Sequence, residues 1–248
     1  MRNFLAFVLI FASTLSFSQE TVTFFSSDSL EITADFYEAK AEFPYVLLFH
    51  QAGSSRGEYR DVAKRFQKLG YNCLAVDLRS GGEENFVPNE TAKKAITMGF
   101  PNNYLETKKD IEAAVEYAYK KSNQKVVLVG SSYSASLSLV IGKTNDKVKA
   151  IVALSPGEFF KPLLDVKQEI TGLTKPVFVG CSQREFPYAQ EYESVINSKQ
   201  KVFFKPQDGP GEHGAKSLWE KADTGKSDYD SSKEYWMALL VFFNQIKG

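Results

Sequence analysis

The stretch Val126-Val-Leu-Val-Gly-Ser-Ser-Tyr-Ser-Ala-Ser-Leu137 decides the fold. Four aliphatic residues in a row, with no polar alternation, read as a strand buried on both faces. Gly130 ends the run, and from Ser132 to Ile141 the pattern turns helical, with small residues on one side. Between strand and helix lies Gly130-Ser131-Ser132-Tyr133-Ser134, a Gly-x-Ser-x-small sequence. So tight a turn admits only small residues beside the central serine. Ser132 therefore projects from the carboxyl edge of the sheet, where the dipole of the following helix favours negative charge. Ser134 stands where a second glycine is usual. The bland alternative is a serine-rich strand–helix turn with no chemistry.

The same reading extends in both directions. Tyr45–Phe49, Cys73–Val76, Val148–Leu154, Pro176–Val179 and Lys201–Phe204 are further apolar runs. Helical spacing lies between them: Tyr59, Val62, Ala63, Phe66 and Leu69; then Ile111, Ala114, Val115 and Ala118 after an Asn103 start with Glu106 as capping partner. A further helix is expected near Ala189–Ile196. The last, capped by Ser231–Glu234, should bury Tyr235, Trp236, Leu239, Leu240, Phe243 and Ile246. Thr21–Phe25 and Ile32–Tyr37 alternate as a hairpin. Buried strands alternating with amphipathic helices predict an α/β fold with a mostly parallel sheet covered on both faces. No repeat or linker interrupts it, so residues 19–248 read as one domain.

Composition excludes more than it identifies. Thirty basic against thirty acidic residues argue against a nucleic-acid partner. Two cysteines cannot build a disulfide scaffold or a four-thiolate zinc site, and two histidines leave little for a metal centre. No cofactor or metal is expected. Arg2, the apolar run Phe4–Ala12 and the small residues up to Ser18 read as a cleaved export signal over residues 1–18. The mature chain is then extracytoplasmic, periplasmic or secreted, with no stable membrane association. Cys73 and Cys181 fall at opposite ends of their parallel strands, which predicts two buried free thiols rather than a disulfide.

A serine at such a turn needs a base, because its hydroxyl is a poor nucleophile until an imidazole takes the proton. Only His213, in the Gly-rich loop Asp208–Gly214, lies beyond Ser132. The orienting carboxylate is sought in the loop Gly180–Phe186, whose one acid is Glu185; Glu158 is the runner-up, and a plain Arg184–Glu185 salt bridge is the rival. Two backbone N–H groups must face the developing oxyanion. Tyr133 supplies one. Ala52, in His50-Gln51-Ala52-Gly53, is favoured for the other, with Gln51 as alternative. His50 is expected to fix that loop by hydrogen bonding rather than to move protons. The polar stretch Arg79–Pro101 is expected to lie over the site mouth. Gly157–Gly172 is too short for a large helical cap.

Together, His50-Gln-Ala-Gly53, Val76-Asp-Leu-Arg-Ser-Gly81, Gly130-Ser-Ser-Tyr-Ser134 and Glu212-His-Gly214 resemble the α/β-hydrolase superfamily, most closely its dienelactone-hydrolase-like branch, over nearly all of residues 20–248. The resemblance implies an eight-stranded, mostly parallel sheet and a serine–acid–histidine hydrolase. Dienelactone hydrolases proper use a cysteine, so Ser132 points to an esterase acting on a small-molecule ester. Gln183 occupies the commonest acid position of the superfamily, and Gln51 replaces a usual glycine. A peptidase or thioesterase on the same scaffold, and a non-catalytic binding protein, are the alternatives.

Overall fold

The structure, a computed structural model, describes residues 18–220 and 230–247. Apart from Ser18, the expected export signal lies outside them. Among the described residues, ten strands and seven α-helices follow in chain order. They are β1 (Ser18–Phe25), β2 (Glu31–Glu38), β3 (Tyr45–Phe49), α1 (Arg60–Lys68), β4 (Asn72–Val76), β5 (Glu83–Glu84), β6 (Val87–Pro88), α2 (Glu90–Met98) and α3 (Lys108–Ser122). Then come β7 (Val126–Ser131), α4 (Tyr133–Thr144), β8 (Val148–Leu154), α5 (Val166–Glu169), β9 (Val177–Gly180), α6 (Phe186–Gln190), β10 (Lys201–Phe204) and α7 (Ser232–Ile246).

Eight strands form one sheet in the order β1-β2-β4-β3-β7-β8-β9-β10. The β1–β2 and β2–β4 pairs are antiparallel; every pair from β4 through β10 is parallel. Side chains alternate along each strand, so one apolar run feeds two cores. Leu47, Phe49, Leu74, Val76, Val126 and Leu128 pack with α3 and α4 on one face. Val46, Leu48, Cys73, Ala75, Val127 and Val129 pack with α1 and α7 on the other. This double burial is why these strands show no polar alternation. It also leaves polar groups only at strand ends, and in a parallel sheet ligands meet the carboxyl ends.

The structure alters several expectations. Arg79–Pro101 is more ordered than its polar sequence suggests: it holds the β5–β6 hairpin and α2, which packs against β2, while its start at Ser80–Gly82 lies against the loop after β3 and Tyr133. The buried face of α2 is Thr91, Ala92 and Ala95, too small to show as apolar periodicity, whereas Phe86 (94% exposed), Ile96 and Met98 face solvent. On α7, Phe242 is buried and Leu240 sits at the exposed margin. Ser231 makes no side-chain cap. Asp230 accepts from Ser232 N at 2.9 Å, and Glu234 accepts the Gln207 and Asp208 amides at the start of the His213 loop. Asn103 does cap, over the short 3₁₀ turn Tyr104–Thr107 that leads into α3, but Glu106 pairs with Lys109 instead of reaching back. Cys73 and Cys181 are buried and free, as expected.

Two arginines, one fully and one partly buried, fasten the segments leaving β3 and β4. Arg79, fully buried, is gripped by Asp110 and Asp28. Arg56 bridges Asp35 and Asp77. His50, at the end of β3, holds the next loop as anticipated. Its Nδ1 donates to Gln51 O at 2.8 Å, while Nε2 accepts from Leu78 N at 3.0 Å and lies 3.1 Å from Asn89 Nδ2. Nε2 thus serves as an acceptor, and complete burial lowers the imidazole from 6.5 to about 4.

Between these two values the unfolded chain binds a proton that the folded chain refuses, so the His50 contribution to stability is present above about pH 6.5 and is lost as pH falls to about 4. The shift is worth on the order of 3 kcal/mol. Denaturant unfolding at pH 7.5 and pH 4.5 should show that loss in the wild type and a smaller one in His50→Gln. Equal losses would contradict this assignment.

Candidate active site

The elbow after β7 is built by close approach. A Cβ on Gly130 would lie 2.5 Å from Ser134 O and 2.6 Å from Ala135 Cα, so only glycine fits. Ser132 takes φ +59° and ψ −122°, a backbone that a non-glycine residue adopts only when its surroundings enforce it. They do. Ser132 N donates to Leu154 O at 2.8 Å, and its carbonyl accepts the Ala135 and Ser136 amides. Ser134 explains its own departure from glycine. Its Oγ accepts Ser131 N at 2.9 Å and lies 2.7 Å from Phe49 O, clipping the turn to β3. The Ser132 side chain sits at the mouth of this turn, in a residue 7% exposed, and makes no hydrogen bond among the described residues.

His213 and Glu185 meet. Nδ1 of His213 contacts Oε1 of Glu185, and because a carboxylate only accepts, that nitrogen carries the proton and Nε2 is left basic in the neutral ring. The other carboxylate oxygen, Oε2, accepts from Ser155 Oγ at 2.8 Å, Ser182 Oγ at 2.8 Å and Ser182 N at 3.1 Å. Burial alone would raise the Glu185 carboxyl. The hydrogen bonds from His213, Ser155 and Ser182 outweigh it and hold the group down at about 2. Arg184 forms no pair with Glu185. Glu158 is turned elsewhere: its oxygens accept the Val166 and Lys167 amides, both at 2.8 Å, and so cap α5. Gln183 spends its amide on Pro206 O and Gln207 O, bracing the base of the His213 loop.

The His213 loop is stitched to the elbow just past the histidine. Gly214 N donates to Ser155 Oγ at 2.9 Å and Ala215 N to Ser131 Oγ at 2.8 Å. A Cβ at Gly214 would fall 2.3 Å from Ser131 Oγ, so the backbone approach needs glycine. No direct Ser132–His213 hydrogen bond is formed; such bonds commonly close only around substrate. Ser131, Ser155, Ser182 and Glu58 escaped the sequence reading. Ser155 did leave one trace, a serine placed directly at the end of a buried strand.

The loop expected to receive the oxyanion is also in place. Gln51 N donates to Glu58 Oε2 at 2.9 Å, which removes that amide from the candidates, while Ala52 N has no acceptor among the described residues. Tyr133 opens α4, where an amide has no intrahelical acceptor. Its ring is buried against Tyr104, at 4.4 Å between centroids, and its hydroxyl donates to Ser80 O. Beside His213 and Glu185 lies a cavity of about 420 Å³, whose wall includes Ser155, Pro156, Phe159, Tyr188 and Tyr192. Hollows of about 720 and 710 Å³ lie elsewhere and touch neither His213 nor Glu185, and none of the three is lined by Ser132, so volume does not mark the site. Among the described residues no group of three His, Cys, Asp or Glu side chains is arranged to hold a metal, and no helix is long and apolar enough to cross a membrane.

A serine-bearing elbow at the carboxyl edge of this sheet, with a histidine–carboxylate pair from later loops, defines an α/β hydrolase. The sequence profile of the dienelactone hydrolase family matches residues 32–205, and the chain belongs to that family. It is a hydrolase acting on ester bonds. Among solved structures, the fold is similar to the esterase Pf2001 of Pyrococcus furiosus, at a TM-score of 0.69 and 18% identity over 94% of this chain and 93% of that one. It is also similar to dienelactone hydrolase from Anabaena variabilis (TM-score 0.65, 14% identity, 92% and 97% covered). An acetyl xylan esterase from Paenibacillus sp. R4 gives a TM-score of 0.64 at 12% identity, with 94% and 86% covered. Among curated proteins, none matches the sequence.

Ser155→Ala removes one of the donors that stabilise the Glu185 carboxylate. Carboxyl ¹³C NMR should place the Glu185 midpoint of this variant above the wild-type value of about 2. An unchanged midpoint would contradict the hydrogen-bond account of that low value.

Proposed function

We propose that the protein is an exported serine hydrolase that cleaves small carboxylic esters through an acyl-enzyme on Ser132. The observation that carries the reading is the Glu185–His213 pair, tied beside the strained Ser132 elbow by the Gly214 and Ala215 amides. Neither cysteine competes as nucleophile at neutral pH: burial raises the Cys73 thiol and lifts Cys181 to about 12.

In acylation Ser132 Oγ bonds to the ester carbon as its proton passes to His213 Nε2. The carbonyl oxygen becomes an anion received by the Ala52 and Tyr133 amides. Collapse breaks the bond to the alcohol oxygen, which takes the proton from Nε2. Water then attacks the acyl carbon, returns a proton through the same nitrogen to Ser132 and releases the acid. Glu185 stays ionised and holds the Nδ1–H tautomer, offsetting the charge the ring acquires at each step. The wall of Phe159, Tyr188 and Tyr192 suits an apolar or flat ester group. Export rests on the Arg2–Ser18 pattern, with cleavage near Ser18–Gln19.

Ser132→Ala should abolish labelling by a fluorophosphonate and reduce p-nitrophenyl ester hydrolysis by several orders of magnitude, and His213→Ala should cost about a thousandfold or more in kcat. Labelling of Ser132→Ala equal to wild type, or a His213→Ala loss below about tenfold, would overturn the assignment. A parallel panel of acyl esters, aminoacyl anilides and acyl thioesters distinguishes the leaving group, with the esters expected to turn over fastest. Amino-terminal sequencing of the chain expressed with its leader should begin near Gln19, recovered outside the cytoplasm; an intact amino terminus retained in the cytosol would contradict export.

A further inference from the structure

Glu58 is 1% exposed, yet among the described residues no lysine, arginine or histidine pairs with it. It lies in the short 3₁₀ turn Arg56–Tyr59 that follows the oxyanion loop. Burying a carboxyl without a cation is costly, and burial does raise its pKa, so an apolar side chain here would serve packing better. What the carboxyl gains is its position between three loops. Oε2 takes Gln51 N at 2.9 Å. Oε1 takes the hydroxyl of Ser131, the residue before the proposed nucleophile, at 2.8 Å. That hydroxyl oxygen in turn takes Ala215 N at 2.8 Å, two residues past His213. The Glu58 carbonyl accepts from Trp219 Nε1 at 2.9 Å, on the far side of the same loop.

We propose that Glu58 is the positioning residue of the active site: its carboxyl sets the oxyanion loop against the elbow and, through Ser131, the His213 loop against both. By engaging the Gln51 amide it takes that amide out of use and leaves the next amide, Ala52 N–H, without an acceptor among the described residues. A single oxygen misplaced by one methylene would tilt the Gln51–Ala52 peptide away from the oxyanion while the walls of the pocket, which do not include Glu58, stayed in place. The effect therefore falls on transition-state stabilisation and not on substrate binding. This inference rests on the Ser132 mechanism above.

The test compares Glu58→Gln, Glu58→Asp and Glu58→Leu in the full chain. Each is read by kcat and KM for p-nitrophenyl acetate, by Kd for a trifluoromethyl ketone that forms a tetrahedral adduct, and by thermal unfolding. Glutamine keeps the length and an acceptor for Gln51, and should hold kcat within about fivefold of wild type. Aspartate keeps the charge but cannot span both partners. It should lower kcat by about a hundredfold, the scale of losing one oxyanion donor, with KM within threefold and ketone affinity falling in step. Leucine should do the same or worse. If leucine does not fold, the glutamine–aspartate contrast still decides. Aspartate with wild-type kcat, or a loss of kcat with ketone affinity unchanged, overturns the proposal. The two readings fail separately: an active Ser132→Ala removes the mechanism, whereas an inactive Ser132→Ala beside a wild-type Glu58→Asp removes only the role of Glu58.

Discussion

Ser132 is held at φ +59° by groups drawn from the strands on either side of it, and the rest of the site is arranged around that one strained residue. A non-glycine residue there costs on the order of 1–3 kcal/mol, so the neighbours must over-determine it. Leu154 O holds the Ser132 amide, Ser134 Oγ ties the turn to β3, and Gly130 has no Cβ to prevent the close approach of α4. Removing the turn from this frame would let Ser132 relax into ordinary helix or strand, and the hydroxyl would no longer stand clear of the sheet edge.

Besides the arginine ion pairs that fasten the segments leaving β3 and β4, the loops around the elbow are joined to one another by buried hydroxyls. Ser131, Ser155 and Ser182 each connect a carboxylate to a loop or strand end, and together with Glu58 and Glu185 they make a continuous network at the carboxyl edge. Short hydroxyl side chains suit this place, since they accept one backbone amide and donate to one carboxylate without needing room. The two carboxylates differ in consequence. Glu185 receives an imidazole N–H and three further donors and sits far down, at about 2; Glu58 receives two donors in full burial and is pushed up. The same chemistry thus yields a charged partner for His213 and a harder-to-ionise carboxyl beneath the loop that follows β3.

Much of this was legible in the sequence for a physical reason. Strands buried on both faces show as unbroken apolar runs, as at Tyr45–Phe49; that strand, Val148–Leu154 and the partly exposed edge strand Lys201–Phe204 were bounded to the residue. Scarcity of histidine helped, because His213 had no competitor downstream of Ser132. Helix α2 was hidden because it is anchored by alanine and threonine, which carry little hydrophobic signal. The network serines and Glu58 were hidden for a deeper reason. A buried carboxyl in Arg56-Gly-Glu-Tyr59 reads like surface charge until its partners, 7 and 73 residues away, are brought against it by the sheet. Chain order can nominate a nucleophile, base and acid, but it carries no trace of which amide a side chain removes from use.

The most direct measurement is a crystal structure of the protein after reaction with an alkyl fluorophosphonate. The account predicts phosphorus bonded to Ser132 Oγ, with the phosphoryl oxygen about 2.7–3.1 Å from both the Ala52 and Tyr133 amides, and Glu185 still bonded to His213. Phosphorus on Ser131 or another residue, or an oxygen turned to solvent away from both amides, would contradict it.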